Sequence, residues 1–263
     1  MNIKSSTKQA VLELTTACNL NCKHCFYSKK NIGEFLEKER AFKIIDRLKE
    51  NKVNKLVLTG GEPTLHPHII EIAEYARTKI KKVTLCSNGV IKNKETKKKI
   101  IDFNFDTYTV SIDSHINRVH DGFRGQKGAL QEVLNFTDLL FKGDKNISIH
   151  ITLHPWNVDH IDKTIEYVKR FNSEIIIGSI YYKRTDLNDR MMSNYFSAIQ
   201  NIKKRYINDN EIILVGFCRH CHINDCPDQK QLFIINKSGE PVSCYWKKGG
   251  GKLLKNINYE NIG

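Results

Sequence analysis

With 263 residues, the chain suits one large domain or one domain with a small appendage, and at that size it buries about 70 to 75% of its unfolded surface, so its core needs no cross-links. No apolar run approaches the roughly 18 residues of a membrane span, and the opening "MNIKSSTKQAVLELTTACNL" has no signal-peptide core; the expectation is a soluble protein of a reducing cytoplasm, where the eight cysteines serve metal binding or catalysis. The formal charge of +13 invites an anionic partner, but basic runs such as "KNKETKKK" (92–99) lack interleaved aromatics and read as solvated helix faces, which argues against nucleic acid.

The first strand-like run, "AVLELT" (10–15), leads into "ACNLNCKHCFY" (17–27), which sets Cys18, Cys22 and Cys25 in one tight loop. Three thiolates favour zinc, copper(I) or an iron-sulfur cluster, and a three-ligand site keeps a position open for chemistry where a four-ligand site is closed; the competing reading is three buried cysteines with no metal. Helical spacing follows at Ala41, Ile44, Ile45 and Leu48. The strand "KLVLTG" (55–60) runs into Gly60-Gly61-Glu62-Pro63, and a second helix carries Ile69, Ile72, Ala73 and Ala76. "KVTLCS" (82–87) ends in Cys86 and Ser87, before Asn88 and Gly89. "TYTVSI" (107–112) ends in Ser111-Ile112-Asp113, and Arg124 follows in "HDGFRGQKG". "ISIHITL" (147–153), a helix through Val158, Ile161, Ile165 and Val168, and "EIIIGSI" (174–180) complete the series.

Strands alternating with helices imply parallel pairing through crossovers. Six units make an α/β fold, an open partial (β/α)6 barrel, with its binding mouth at the C-terminal strand ends, where the motifs fall. Alternation along the third strand suggests Ser87 facing the mouth and Cys86 facing the helices as a small apolar residue. Beyond about residue 185 the alternation stops. A helix near "MMSNYFSAIQNIKKRY" precedes "GFCRHCHINDC" and a hairpin, "QLFIINKSGEPVSCYW". The domains expected are therefore 1–185, the barrel, and 186–263, a small cysteine-rich α+β module packed against it. Its Cys218, Cys221, Cys226 and Cys244 read as a zinc ribbon when taken alone.

Taken together and in order, C-x3-C-x2-C, Gly-Gly-Glu-Pro, Ser-Asn-Gly and Ser-Ile-Asp at successive strand ends resemble the radical S-adenosylmethionine (SAM) superfamily over residues 10 to about 180. The resemblance implies that Cys18, Cys22 and Cys25 hold three irons of a 4Fe-4S cluster while SAM chelates the fourth. One electron from the cluster then breaks the C5'-S bond, and a 5'-deoxyadenosyl radical takes a hydrogen atom from the substrate. It assigns Gly60, Gly61 and Glu62 to the SAM amino group, for which a carboxylate is a suitable acceptor. Ser87 belongs to the same cofactor-binding set. Ser111 and Arg124 fall to the ribose and the methionine carboxylate, which the arginine fork suits; for Arg124 the alternative is a surface residue before a helix. His24 stands near the adenine, where the family usually has Tyr or Phe. Cys86 gains a sharper reading, a hydrogen-atom donor of the kind an epimerase needs.

Cys226, Gly239 and Cys244 are similar to the opening of the superfamily's SPASM module, C-x12-G-x4-C. With no cysteine after Cys244, the similarity points to the shortened twitch form holding one auxiliary Fe-S cluster, 4Fe-4S, with zinc as the alternative. Such enzymes mostly cross-link, epimerise or oxidise ribosomally made peptides, so a peptide maturase is expected, fed by a donor such as flavodoxin or ferredoxin. No leader-recognition domain fits before residue 10, which supports the runner-up, a dehydrogenase or epimerase of an aminocyclitol or sugar. A non-catalytic Fe-S or zinc RNA-binding protein is the alternative of another class, and it leaves Glu62 and the strand-end motifs without a purpose.

Overall fold

A computed structural model describes residues 9–25, 33–179, 189–215, 232–235 and 241–242. The expected strands form as β1 Gln9–Glu13, β2 Lys55–Thr59, β3 Lys82–Ser87, β4 Thr107–Ser111, β5 Ile147–Leu153 and β6 Glu174–Ser179. Between and after them run α1 Lys38–Glu50, α2 Ile69–Lys79, α3 Lys94–Phe103, α4 Asn117–Arg124, α5 Ala129–Lys142, α6 Ile161–Lys169 and α7 Asp189–Tyr206. Three further strands are described, β7 Ile212–Val215, β8 Leu232–Ile235 and β9 Pro241–Val242.

All belong to one sheet of order β7-β6-β5-β4-β3-β2-β1-β8-β9, parallel except for the β8–β9 hairpin. The six-strand expectation needs two corrections. β7 continues the parallel series past β6, with Ile175 opposite Ile212. The expected hairpin forms, but β8 lies parallel to β1, with Gln9 opposite Leu232, and so extends the barrel's own sheet. Cys218, Cys221, Cys226 and Cys244 lie outside the described residues.

Period-two alternation gives the sheet two unlike faces. Leu12, Leu58, Leu85, Val110, Ile149 and Ile177 are buried in one core with Ile44, Ile45, Ile72 and Phe136 of the helices, each such side chain contributing about 1.5–3 kcal/mol by leaving water. The opposite face carries a polar row, Glu13 level with Thr59, Cys86 with Thr109, and Thr109 with Ser148, ending at Glu174. Cys86 therefore faces away from the helices, contrary to the apolar reading. Side chains on α1 and α2 bury as their spacing predicts. In α6 the buried stripe is Ile161, Thr164, Ile165 and Val168, while Val158 belongs to a preceding 3-10 turn. The basic run 92–99 is a solvated face, with Lys98 and Lys99 exposed and paired within α3 to Asp102 and Glu95. Among the described residues, no helix is long and apolar enough to cross a membrane.

Candidate active site at the strand ends

Two glycines bring the end of β2 against the start of the cysteine loop. Gly61 N donates to Thr15 O at 2.6 Å and Glu62 N donates to Ala17 O at 2.7 Å. A β-carbon on Gly61 would lie 2.3 Å from Ala17 O, and Gly60 adopts φ 145°, which L side chains rarely do. Backbone meets backbone here, which is why this position takes a Gly-Gly pair.

On its other side the loop is tied to the end of β3. Asn88 Nδ2 donates to Asn19 Oδ1 at 2.8 Å and lies 3.8 Å from Cys18 Sγ, while Asn19 Nδ2 donates to Val90 O at 2.6 Å. Leu20 N donates to the same sulfur at 3.5 Å. Further along, Lys23 N donates to Phe123 O at 2.9 Å. Gly125, the left-handed cap of α4, packs so closely on Asn21 that a β-carbon there would lie 2.1 Å from Asn21 O.

The three thiols thus share one small apolar cluster, Cys22 buried beside Leu20, Val90 and Ala129, with Cys18 and Cys25 against it. Burial pushes the Cys18 thiol up to about 12. Cys22 is also raised by burial, with Arg124 opposing the shift. Thiols so disposed ionise only against a strong positive partner, which a metal centre supplies. Among the described residues no three His, Cys, Asp or Glu side chains converge on a single ion.

Glu62 is fully buried. Its Oε1 accepts from Thr64 N (3.1 Å), Thr64 Oγ1 (2.7 Å) and Ser87 Oγ (2.8 Å), and its Oε2 accepts from Asn88 N (2.8 Å). Burial raises its pKa and these four donors work against the rise. The carboxylate that the sequence offers to a cofactor also locks β2 to β3, and Ser87 belongs to that lock. Ser111 ends β4 level with His150 of β5.

Arg124 is no surface residue. Its Nε and Nη2 grip both oxygens of Asp113 at 2.5 and 2.9 Å, with both side chains buried. Burial alone would raise the Asp113 pKa, but Arg124 outweighs it and holds the carboxyl well below the usual carboxylate range. His24 stacks on Phe123 at 4.7 Å, and His154 stacks on Phe123 at 3.7 Å. Burial lowers His24 to about 4, so the ring is neutral. Cys86 lies on the polar face, level with Thr109, and burial pushes its thiol up to about 11.

The structure thus brings Cys18, Cys22, His24 and Cys25 of one loop together with Gly60, Gly61, Glu62 and Ser87, with Ser111 and Arg124 on the adjoining elements. The sequence reading missed Asn19, Asp113, His154 and the clamping role of Asn88. Asn88 and Asp113 do stand inside the motifs that the sequence displays.

The Radical SAM superfamily model matches residues 12–168. The chain is 35% identical over 164 residues to the AdoMet-dependent heme synthase of Methanosarcina barkeri, covering 61% of this chain and 47% of that one. It is 35% identical over 153 residues to the antilisterial bacteriocin subtilosin biosynthesis protein AlbA of Bacillus subtilis, covering 55% and 32%. It therefore spans about half or less of the length of these relatives. Streptococcus suis SuiB bound to its precursor peptide SuiA shares the fold, with TM-score 0.72 and 13% identity over 98% of this chain and 64% of that one.

Proposed function

Since the chain belongs to the radical SAM superfamily, whose model matches more than half of its length, we propose that it cleaves SAM reductively at a cluster held by Cys18, Cys22 and Cys25 and modifies a ribosomally made peptide. The observation that carries the peptide is likeness to two proteins named for peptides, the subtilosin biosynthesis protein by sequence and SuiB with SuiA by fold. When bound, cluster and SAM supply a one-electron cleavage that yields a hydrogen-abstracting radical. This chain's residues do the rest. Leu20 N and Asn88 Nδ2 donate to the Cys18 sulfur. Gly60 and Gly61 fix the loop's approach, and Glu62 places its charge near the SAM ammonium while bracing two strand ends. Arg124 spends two of its five N–H donors on Asp113 and offers others to the methionine carboxylate, with Ser111 at the ribose and His24 beside the adenine.

Cys86 is the hydrogen-atom donor if the reaction is an epimerisation. Its raised pKa keeps it as S–H at neutral pH, the form with an atom to give. Cys218, Cys221, Cys226 and Cys244 hold one auxiliary Fe-S cluster, and a flavodoxin or ferredoxin in the cytoplasm supplies the electron. The heme synthase relative favours a second reading, a small-molecule substrate.

The test is anaerobic reconstitution followed by a reductant-driven assay for 5'-deoxyadenosine, with the Cys18, Cys22 and Cys25→Ala triple variant beside it. The reading expects about four irons lost in the variant, 5'-deoxyadenosine only from the intact protein, and its yield raised by a peptide encoded beside the gene. Stimulation by a small molecule and not by any such peptide would replace the peptide with the second reading; no 5'-deoxyadenosine at all would end both.

A further inference from the structure

Arg124 has a position that binding a SAM carboxylate does not explain. Its two neighbours in sequence are pinned to the two neighbours of Cys22. Phe123 O accepts from Lys23 N at 2.9 Å, and Gly125 abuts Asn21 O too closely for any β-carbon. Residue 124 is thereby set opposite residue 22, close enough for the Arg124 charge to act on the Cys22 thiol. The other side of the guanidinium is held by Asp113, itself fixed from three directions. Thr152 N donates to Asp113 Oδ1 at 2.9 Å, Asn157 Nδ2 to Asp113 O at 2.7 Å, and Asp113 N to His120 Nδ1 at 3.1 Å. Neither Arg124 nor Asp113 retains much solvent to screen it, at 6% and 0% exposure.

We propose that Asp113 and Arg124 form a positioning pair that raises the reduction potential of the cluster, by holding a cation against the Cys22 sulfur. The proposal rests on the cluster reading above. Reduction adds one negative charge to the cluster. A cation beside a ligand sulfur stabilises that added charge more than it stabilises the oxidised state, and local charge is a known lever on Fe-S potentials. The buried setting strengthens the effect. Asp113 works in the opposite sense from one residue further away, so its role is to hold the fork in place and to moderate it. The three thiolates are therefore unequal. Cys18 receives the neutral donors Leu20 N and Asn88 Nδ2, and Cys22 lies under the charge of Arg124.

The experiment is a mediated redox titration of the full, reconstituted protein, followed by the EPR signal of the reduced cluster. It is run without SAM, so that no contact between Arg124 and a SAM carboxylate contributes. Iron content confirms equal loading. R124Q removes the cation, and the equilibrium constant for cluster reduction should fall about tenfold or more, a drop of about 59 mV for one electron. D113N leaves the cation unopposed, and the potential should rise. Shifts of opposite sign are what a mere strut between β4 and α4 would not give. If R124Q does not fold, since it strands a buried carboxylate, D113N decides alone: a rise supports the pair, and an unchanged or lower potential overturns it. An intact protein that holds no cluster would overturn this proposal together with the cluster reading, whereas a loaded cluster indifferent to both substitutions would overturn this proposal only.

Discussion

Gly61 has almost no room for a side chain. Gly61→Ala puts a β-carbon 2.3 Å from Ala17 O, so either β2 or the cysteine loop must shift. The expected cost is about 1–3 kcal/mol, as for other overpacked positions, with iron content after reconstitution falling further than thermal stability does. Full iron loading in a stable variant would contradict the close-approach argument. A second prediction concerns the imidazoles around Asp113. Burial lowers His120 and His150 to about 4 and His154 to about 3, while an unfolded histidine titrates near 6.5. Between those values the unfolded chain binds protons that the folded chain refuses, so stability is fully present above about pH 6.5 and declines as pH falls toward 4. The slope is up to about 1.4 kcal/mol per pH unit for each histidine. Urea midpoints that stay flat from pH 7 to pH 5 would remove these groups from the account. At this scale the sequence showed the cysteines and strand-end motifs, because short spacing and chain order carry them. It hid the partnership of Asp113 with Arg124, because residues eleven apart meet only when β4 and α4 are both in place.

Among the elements, the turn after β3 is the hinge on which the site's order depends. Asn88 accepts from Val90 N at 2.8 Å through Oδ1 while its amide group reaches Asn19 and Cys18. Asn88→Ala removes two conventional hydrogen bonds, about 2–3 kcal/mol of loop anchoring at about 1 kcal/mol or more each. The cluster should then lose iron to a chelator faster than in the parent protein while helix content by circular dichroism stays the same; equal release rates would mean that the clamp is idle. α1, α2 and α6 were legible because each buries a largely apolar stripe at the helical period. β7 was not, since four residues are too few for periodicity to speak. The pairing of β8 was hidden for another reason: a hairpin signal says which two strands turn on each other and nothing about the third strand that one of them joins.

Across the molecule, stability and chemistry are drawn from separate parts of one fold. The core is apolar and lies between strands and helices, whereas the thiols sit beyond the strand ends in a separate small cluster. Changing Cys18, Cys22 and Cys25 together to Ala should therefore leave helix content intact and shift Tm by only a few degrees, at about 2–4 °C for each kcal/mol in a chain near this size. A collapse of the far-ultraviolet spectrum in that variant would show that the cluster is part of the fold's foundation.

The pairing of β1 with β8 also sets an order of events during synthesis. Gln9 meets Leu232, 223 positions later (232 − 9), so the ribosome, adding about 5–20 residues per second, leaves one edge of the strand that leads into the cysteine loop bare for roughly 11–45 s. During that interval β1 offers a row of unpaired amides to any passing strand.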